Sequence, residues 1–217
     1  MSKKHFLALP VTGDTFAEVR EKNRYYVDKT PYLKTVFSED EAVDDKSLID
    51  GTTVLLLTRP RRFGKTMLMN MFESFLNINY EKPGDTSIQD KFFKGTKILE
   101  DQKFCKKYMG QFPVISITLK DVLGDDFESA YLKLAEVVSA KANEFSFLKE
   151  SPYLNEMEKA KFNLLCDEIY LKKADKQAIS YVTSAIKSLS LMLYKHFNKQ
   201  VYILIDEYDV PLAKAHA

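Results

Sequence analysis

Two short, continuous runs of branched apolar residues constrain the fold more than any other feature. Residues 53–58 (TVLLLT) and 201–205 (VYILI) do not alternate apolar with polar. Such runs suit strands covered on both faces, as in a parallel sheet, because a strand with one wet face alternates. Residues 113–119 (PVISITL) are a third candidate through β-branched Val114, Ile115 and Ile117. Helical spacing fills the intervals. After Gly64, the residues Leu68, Met71, Phe72, Phe75 and Leu76 recur three and four apart, forming one face of a helix. Phe127, Tyr131, Leu134, Val137 and Val138 repeat the pattern, with Asp125 or Asp126 placed to cap its start. Further helices are expected over 156–173 and 176–197 and, more briefly, around 16–22. Another begins at Thr30–Pro31, where Thr caps and Pro suits the first turn. The polar stretches 38–51 and 80–87 read as surface loops. Strands alternating with helices predict an α/β fold with a mostly parallel sheet. In such sheets ligands bind at the loops that follow the strands. Chemistry is therefore expected just after residue 58 and just after residue 205.

The first of these loops reads Arg59-Pro60-Arg61-Arg62-Phe63-Gly64-Lys65-Thr66 and runs into a helix. Its second half matches the end of the phosphate-loop pattern G-x-x-x-x-G-K-[ST], with Arg59 in place of the first glycine. Gly64 lets backbone approach a phosphate, and the free amides and dipole of the helix start attract an anion. Lys65 can reach the β- and γ-phosphates, and the Thr66 hydroxyl can ligate Mg²⁺. Pro60 holds Arg59 in extended conformations, so the chain enters the loop by a course different from the usual one. Arg59, Arg61, Arg62 and Lys65 place four positive charges within seven residues. Two readings of Arg61 and Arg62 stand: phosphate contacts, which guanidinium groups make well, or a solvated, acid-paired surface.

The second loop is acidic. The run 201–205 ends in Asp206-Glu207-Tyr208-Asp209, and Asp206 lies 140 residues beyond Thr66. A carboxylate at such a strand end is the usual complement of a phosphate loop. Asp206 would hold Mg²⁺, a hard cation that prefers carboxylate and water oxygens, together with Thr66. Glu207 would orient and polarise an attacking water. Asp209 has the plainer role of capping a helix near Pro211.

The strings TRPRRFGKT (58–66), LIDEYDVPL (204–212) and YYVDKT (25–30) resemble the AAA-ATPase-like family. Its members carry a degenerate phosphate-loop ATPase module, often followed by a nuclease-like domain. The resemblance runs from about Leu9 to Ala215 and implies a three-layer, AAA-like P-loop NTPase fold of the α/β class. It implies ATP and Mg²⁺ as cofactors and a bacterial or archaeal source, while two cysteines that make no disulfide framework point to a reducing, cytoplasmic setting. The nucleotide set becomes Arg59, Arg62, Phe63, Gly64, Lys65, Thr66 and Met67, with Thr66 and Asp206 on the metal and Lys65 and Glu207 catalytic. Arg in place of the first glycine is normal for the group. In related ATPases the segment resembling Tyr25–Lys29 lies near the adenine. Tyr25 and Tyr26 read more simply as core aromatics, and Asp28 as a cap. The family also places a sensor strand, a helical lid and a neighbour's arginine after the acidic pair, whereas this sequence ends 11 residues after Asp206. The expectation is one P-loop domain over 1–217, incomplete at the C-terminus. A second copy or a separate chain would supply the missing parts, and no nuclease-like domain is expected within these residues.

Composition narrows the alternatives. With 217 residues, 45% hydrophobic, the chain is too apolar for disorder. The formal charge of +1 argues against bulk attraction to nucleic acid or membrane. No apolar run approaches the roughly 20 residues of a membrane span. Cys105 and Cys166 make no disulfide framework and read as packing residues, as do Met67, Met69 and Met71. His5, His196 and His216 show no metal spacing. Two other functions compete with ATP hydrolysis: a nucleotide-dependent switch with little turnover, and nucleic-acid binding through the basic loop.

Overall fold

Local capping chemistry sets where many of the helices begin. The computed structural model describes residues 8–11, 13–37, 54–58 and 63–210. They fall into two compact units, Met1–Phe112 and Pro113–Ala217. In the first unit, α1 (Phe16–Glu21) opens on a capping box between Thr15 and Glu18. It is followed by α2 (Pro31–Phe37), α3 (Lys65–Leu76) and α4 (Ser87–Phe93). A 3₁₀ turn (Lys97–Glu100) then leads into α5 (Gln102–Tyr108). Neither α4 nor α5 was expected from the spacing of apolar residues.

Aromatic packing holds this unit together. Phe16, Leu33, Met71, Phe75, Leu76 and Phe93 are fully buried. The Phe93 ring meets Phe16 at 4.8 Å and Phe75 at 5.2 Å between centroids. Each such burial contributes roughly 1.5–3 kcal/mol. The expected apolar face of α3 is thus the buried one, apart from Leu68, which is half-buried.

The expected strand after the loop 38–51, itself outside the described residues, is corrected. Residues 54–58 join no ladder, and Val54, Leu55, Leu56 and Leu57 are exposed, Val54 by 91%. A strand exists through its pairing more than through its own propensity. Among the described residues the only sheet is a pair of strands elsewhere in the chain.

That pair belongs to the second unit: β1 (Val114–Thr118) and β2 (Tyr202–Asp206), parallel and in register from Val114↔Tyr202 to Thr118↔Asp206. Between them run α6 (Phe127–Glu144), a 3₁₀ turn (Ser146–Glu150), α7 (Glu156–Cys166), α8 (Glu168–Leu171) and α9 (Lys176–Phe197). Asp126, Asn155 and Asp175 cap α6, α7 and α9 with their side chains. The single helix expected over 156–173 is two, because the Asp167 carboxylate accepts the Tyr170 N–H at 2.9 Å and starts a new turn. Phe127, expected on the apolar face of α6, is 74% exposed. β2 is not covered on both faces, since Ile203 and Ile205 are more than two-fifths exposed. His196 is a packing residue, with its ring against Phe147 and Phe197 and Nδ1 2.8 Å from Ser151 Oγ. Cys105 is buried and donates its Sγ–H to the Ile98 carbonyl.

Helices with a small parallel sheet make this an α/β chain. Two paired strands are too few to define the three-layer P-loop arrangement. No helix among the described residues is long and apolar enough to cross a membrane.

Candidate functional site

The start of α3 is built on a left-handed turn. Gly64 has φ 74° and ψ 35°, a conformation that glycine adopts without the Cβ penalty other residues meet. It stands at the N-cap position without a side chain to cap the helix, and its carbonyl accepts the Leu68 N–H at 2.9 Å. The first turn of α3 begins with Lys65 and contains no acidic residue. A cation at the positive end of a helix dipole is unfavourable by on the order of 0.3–1 kcal/mol unless an anion offsets it. Such a helix start is suited to a phosphate group. Phe63 is 62% exposed, Lys65 and Met67 are half-buried, and Thr66 is exposed. The helix is anchored from behind by Phe75 and Phe72, whose rings lie 5.9 Å from those of Phe104 and Phe37, respectively.

Sequence reasoning missed what the segment 25–30 does here. Lys29 Nζ donates to the Phe63 carbonyl at 3.3 Å. It also stands 3.1 Å from the point that a Cβ on residue 64 would occupy. The backbone under Lys29 is held from several sides. Its N–H donates to the Tyr26 hydroxyl at 3.3 Å, and that hydroxyl donates to Met71 Sδ on α3 at 3.3 Å. Burial pushes the Tyr26 hydroxyl up to about 12. The Asp28 carboxylate accepts the N–H groups of Thr30 at 2.9 Å and Lys97 at 2.8 Å. Burial opposes its ionisation, but these bonds outweigh burial and hold it below the usual carboxylate range. Thr30 is itself fully buried, and its hydroxyl accepts the Ile98 N–H. Tyr26 packs edge-on against Phe16 as a core aromatic, whereas Tyr25 is 51% exposed and is not one. The signal in the sequence was a lysine directly ahead of the Thr-Pro helix start, but no local pattern says which loop it touches.

The acidic end of β2 lies in the second unit. Asp206 is the last residue of the strand, opposite Thr118, and its carbonyl accepts the Leu119 N–H at 3.0 Å. Its Oδ1 accepts the Glu207 N–H at 3.0 Å. Glu207 has φ 54°, in the left-handed region that a non-glycine residue enters only at a cost. Both acidic residues are half-buried. Asp206 and the Thr66 hydroxyl offer hard oxygen donors, the type that Mg²⁺ takes alongside water. Among the described residues no group of three or more His, Cys, Asp or Glu side chains is placed to hold a metal ion. Arg59 and Arg62 lie outside the described residues, as do Arg61 and Pro211. The remaining candidates therefore fall in two sets, Phe63 to Met67 in the first unit and Asp206 with Glu207 in the second.

The start of α3 is opened by a glycine and bears a lysine, and β2 runs out into an acidic pair. Residues 10–217 match the model of a family described as predicted AAA-ATPase, and the chain belongs to that family. Membership is consistent with a nucleotide-binding role. Neither the curated proteins nor the solved structures provide a match to this chain.

Proposed function

We propose that this chain is a P-loop ATPase module that binds ATP with Mg²⁺ and hydrolyses it by attack of water on the γ-phosphate. The observation that carries the reading is the start of α3: a left-handed Gly64 followed by Lys65, with no acid in the first turn. Family membership over residues 10–217 supports it independently. The amides at the start of α3 hold phosphate oxygens, and Lys65 stabilises the charge that builds on the γ-phosphate in the transition state. Arg59, Arg62, Phe63 and Met67 complete the nucleotide contacts. Thr66 and Asp206 would be the residues that hold Mg²⁺, which would supply neutralisation of phosphate charge. Glu207 accepts a hydrogen bond from the attacking water and orients it in line with the leaving group.

The test is titration of the full chain with a fluorescent ATP analogue and Mg²⁺, using wild type, Lys65→Ala and Glu207→Gln. Lys65→Ala should weaken binding at least about tenfold, the loss of one charge-assisted contact to phosphate. Glu207→Gln should retain binding and lose turnover, leaving ATP trapped. Equal binding by wild type and Lys65→Ala would sink the proposal.

A further inference from the structure

We infer that Lys29 is a second phosphate-contacting cation of this loop, acting beside Lys65 on the polyphosphate of the nucleotide. The inference rests on the nucleotide reading above and adds a residue from a different part of the sequence. Lys29 Nζ is held at the Phe63 carbonyl, 3.1 Å from the point that a Cβ on residue 64 would occupy and so at the edge of the space that glycine leaves open. That space is where glycine lets a phosphate approach the backbone. An ammonium group has three donors, and the Phe63 carbonyl takes one of them. Among the described residues no carboxylate forms an ion pair with Lys29.

The backbone beneath it is fixed before any ligand arrives. The Tyr26 hydroxyl links the Lys29 N–H to Met71 of α3, the same helix that the loop opens. Asp28 and Thr30 tie the neighbouring residues to Lys97 and Ile98. Lys29 is thus carried by the framework that supports the loop. A lysine ammonium at the positive end of a helix meets repulsion from the dipole when no anion is present. A bound polyphosphate removes that repulsion and takes the remaining donors of Lys29.

A purely bracing role, in which Lys29 only steadies the Phe63 carbonyl, makes a different prediction. Lys29→Gln keeps an N–H donor for that carbonyl and loses the charge, whereas Lys29→Arg keeps both. With the full chain, Mg²⁺ and a fluorescent ATP analogue, Lys29→Gln should weaken binding about tenfold, and Lys29→Arg should stay within about threefold of wild type. In wild type, a saturating non-hydrolysable ATP analogue should cut acetylation of Lys29 by an amine-reactive ester several-fold, as read by mass spectrometry. This second measurement needs no variant to fold. Wild-type binding by Lys29→Gln while Lys65→Ala loses affinity overturns the inference and leaves the nucleotide reading standing. Unchanged acetylation of Lys29 while Lys65 is protected does the same. Undiminished binding by Lys65→Ala overturns both.

Discussion

The start of α3 and the end of β2 both turn the backbone left-handed, and they do so with opposite residues. Gly64 reaches φ 74° with no Cβ to clash, and Lys29 Nζ stands 3.1 Å from the point that a Cβ would occupy. Glu207 reaches φ 54° with a full side chain, steadied by its N–H on Asp206 Oδ1 and its carbonyl on the Val210 N–H at 3.1 Å. A left-handed non-glycine residue costs about 1–2 kcal/mol. Glycine at 64 thus answers a need for open space next to the backbone. A carboxylate at 207 is kept where glycine would be easier, and residues held in strain of this kind cluster at functional sites. The two ends also differ in support, because α3 rests on fully buried aromatics while β2 leaves Ile203 and Ile205 partly exposed.

The difference in support should give the largest effect. Phe75→Ala removes a fully buried ring packed on Phe93 and Phe104 and should cost about 3–5 kcal/mol. Ile203→Ala, at a position 43% exposed, should cost about 1 kcal/mol. In thermal melts followed by circular dichroism, the first should lower the midpoint by roughly 10 °C and the second by a few degrees. Equal shifts would erase the contrast between the two ends.

The turns themselves provide the next test. Gly64→Ala should destabilise by about 1–2 kcal/mol, since the new Cβ meets both a positive φ and the Lys29 ammonium. Glu207→Gly should do the reverse, stabilising by about 1 kcal/mol while abolishing ATP turnover. If both glycine-for-side-chain exchanges moved stability in the same direction, strain at Glu207 would be the wrong account.

The smallest effect concerns the framework under Lys29. The Asp28 carboxyl is held below its ordinary value in the folded chain, so its contribution is present above about pH 4 and fades as pH falls through the folded value. Asp28→Asn should therefore lower the melting midpoint by a few degrees at pH 7, with the gap to wild type closing in acid. A gap that is constant down to pH 3 would mean that the charge on Asp28 does not matter.

Much of the helical framework was legible in the sequence because it is decided locally. The spacing of apolar residues places α3 and α6, and an aspartate before the apolar-periodic segment marks the start of α6. Gly64 was legible for the same reason, since a Gly-Lys-Thr at a helix start needs no distant partner to be recognised. Legibility ended where a partner far along the chain decides. The break at Asp167 was hidden inside a convincing helical pattern, because a single side chain to backbone bond outweighs the periodicity there. Residues 54–58 have the composition of a buried strand, yet their burial depends on what pairs with them.

The amino-acid sequence by itself determined the α/β class, most helix starts, and the chemistry offered at two points, Gly64-Lys65-Thr66 and Asp206-Glu207. These follow from propensity, capping and residue type, which act over a few neighbouring positions. Only the tertiary structure decided that β1 pairs with β2 in register, that Glu207 is strained, and that Lys29 reaches the Phe63 carbonyl 34 residues away. Ladders and long side-chain contacts form between segments whose meeting is set by how the core packs. No window of sequence contains that information.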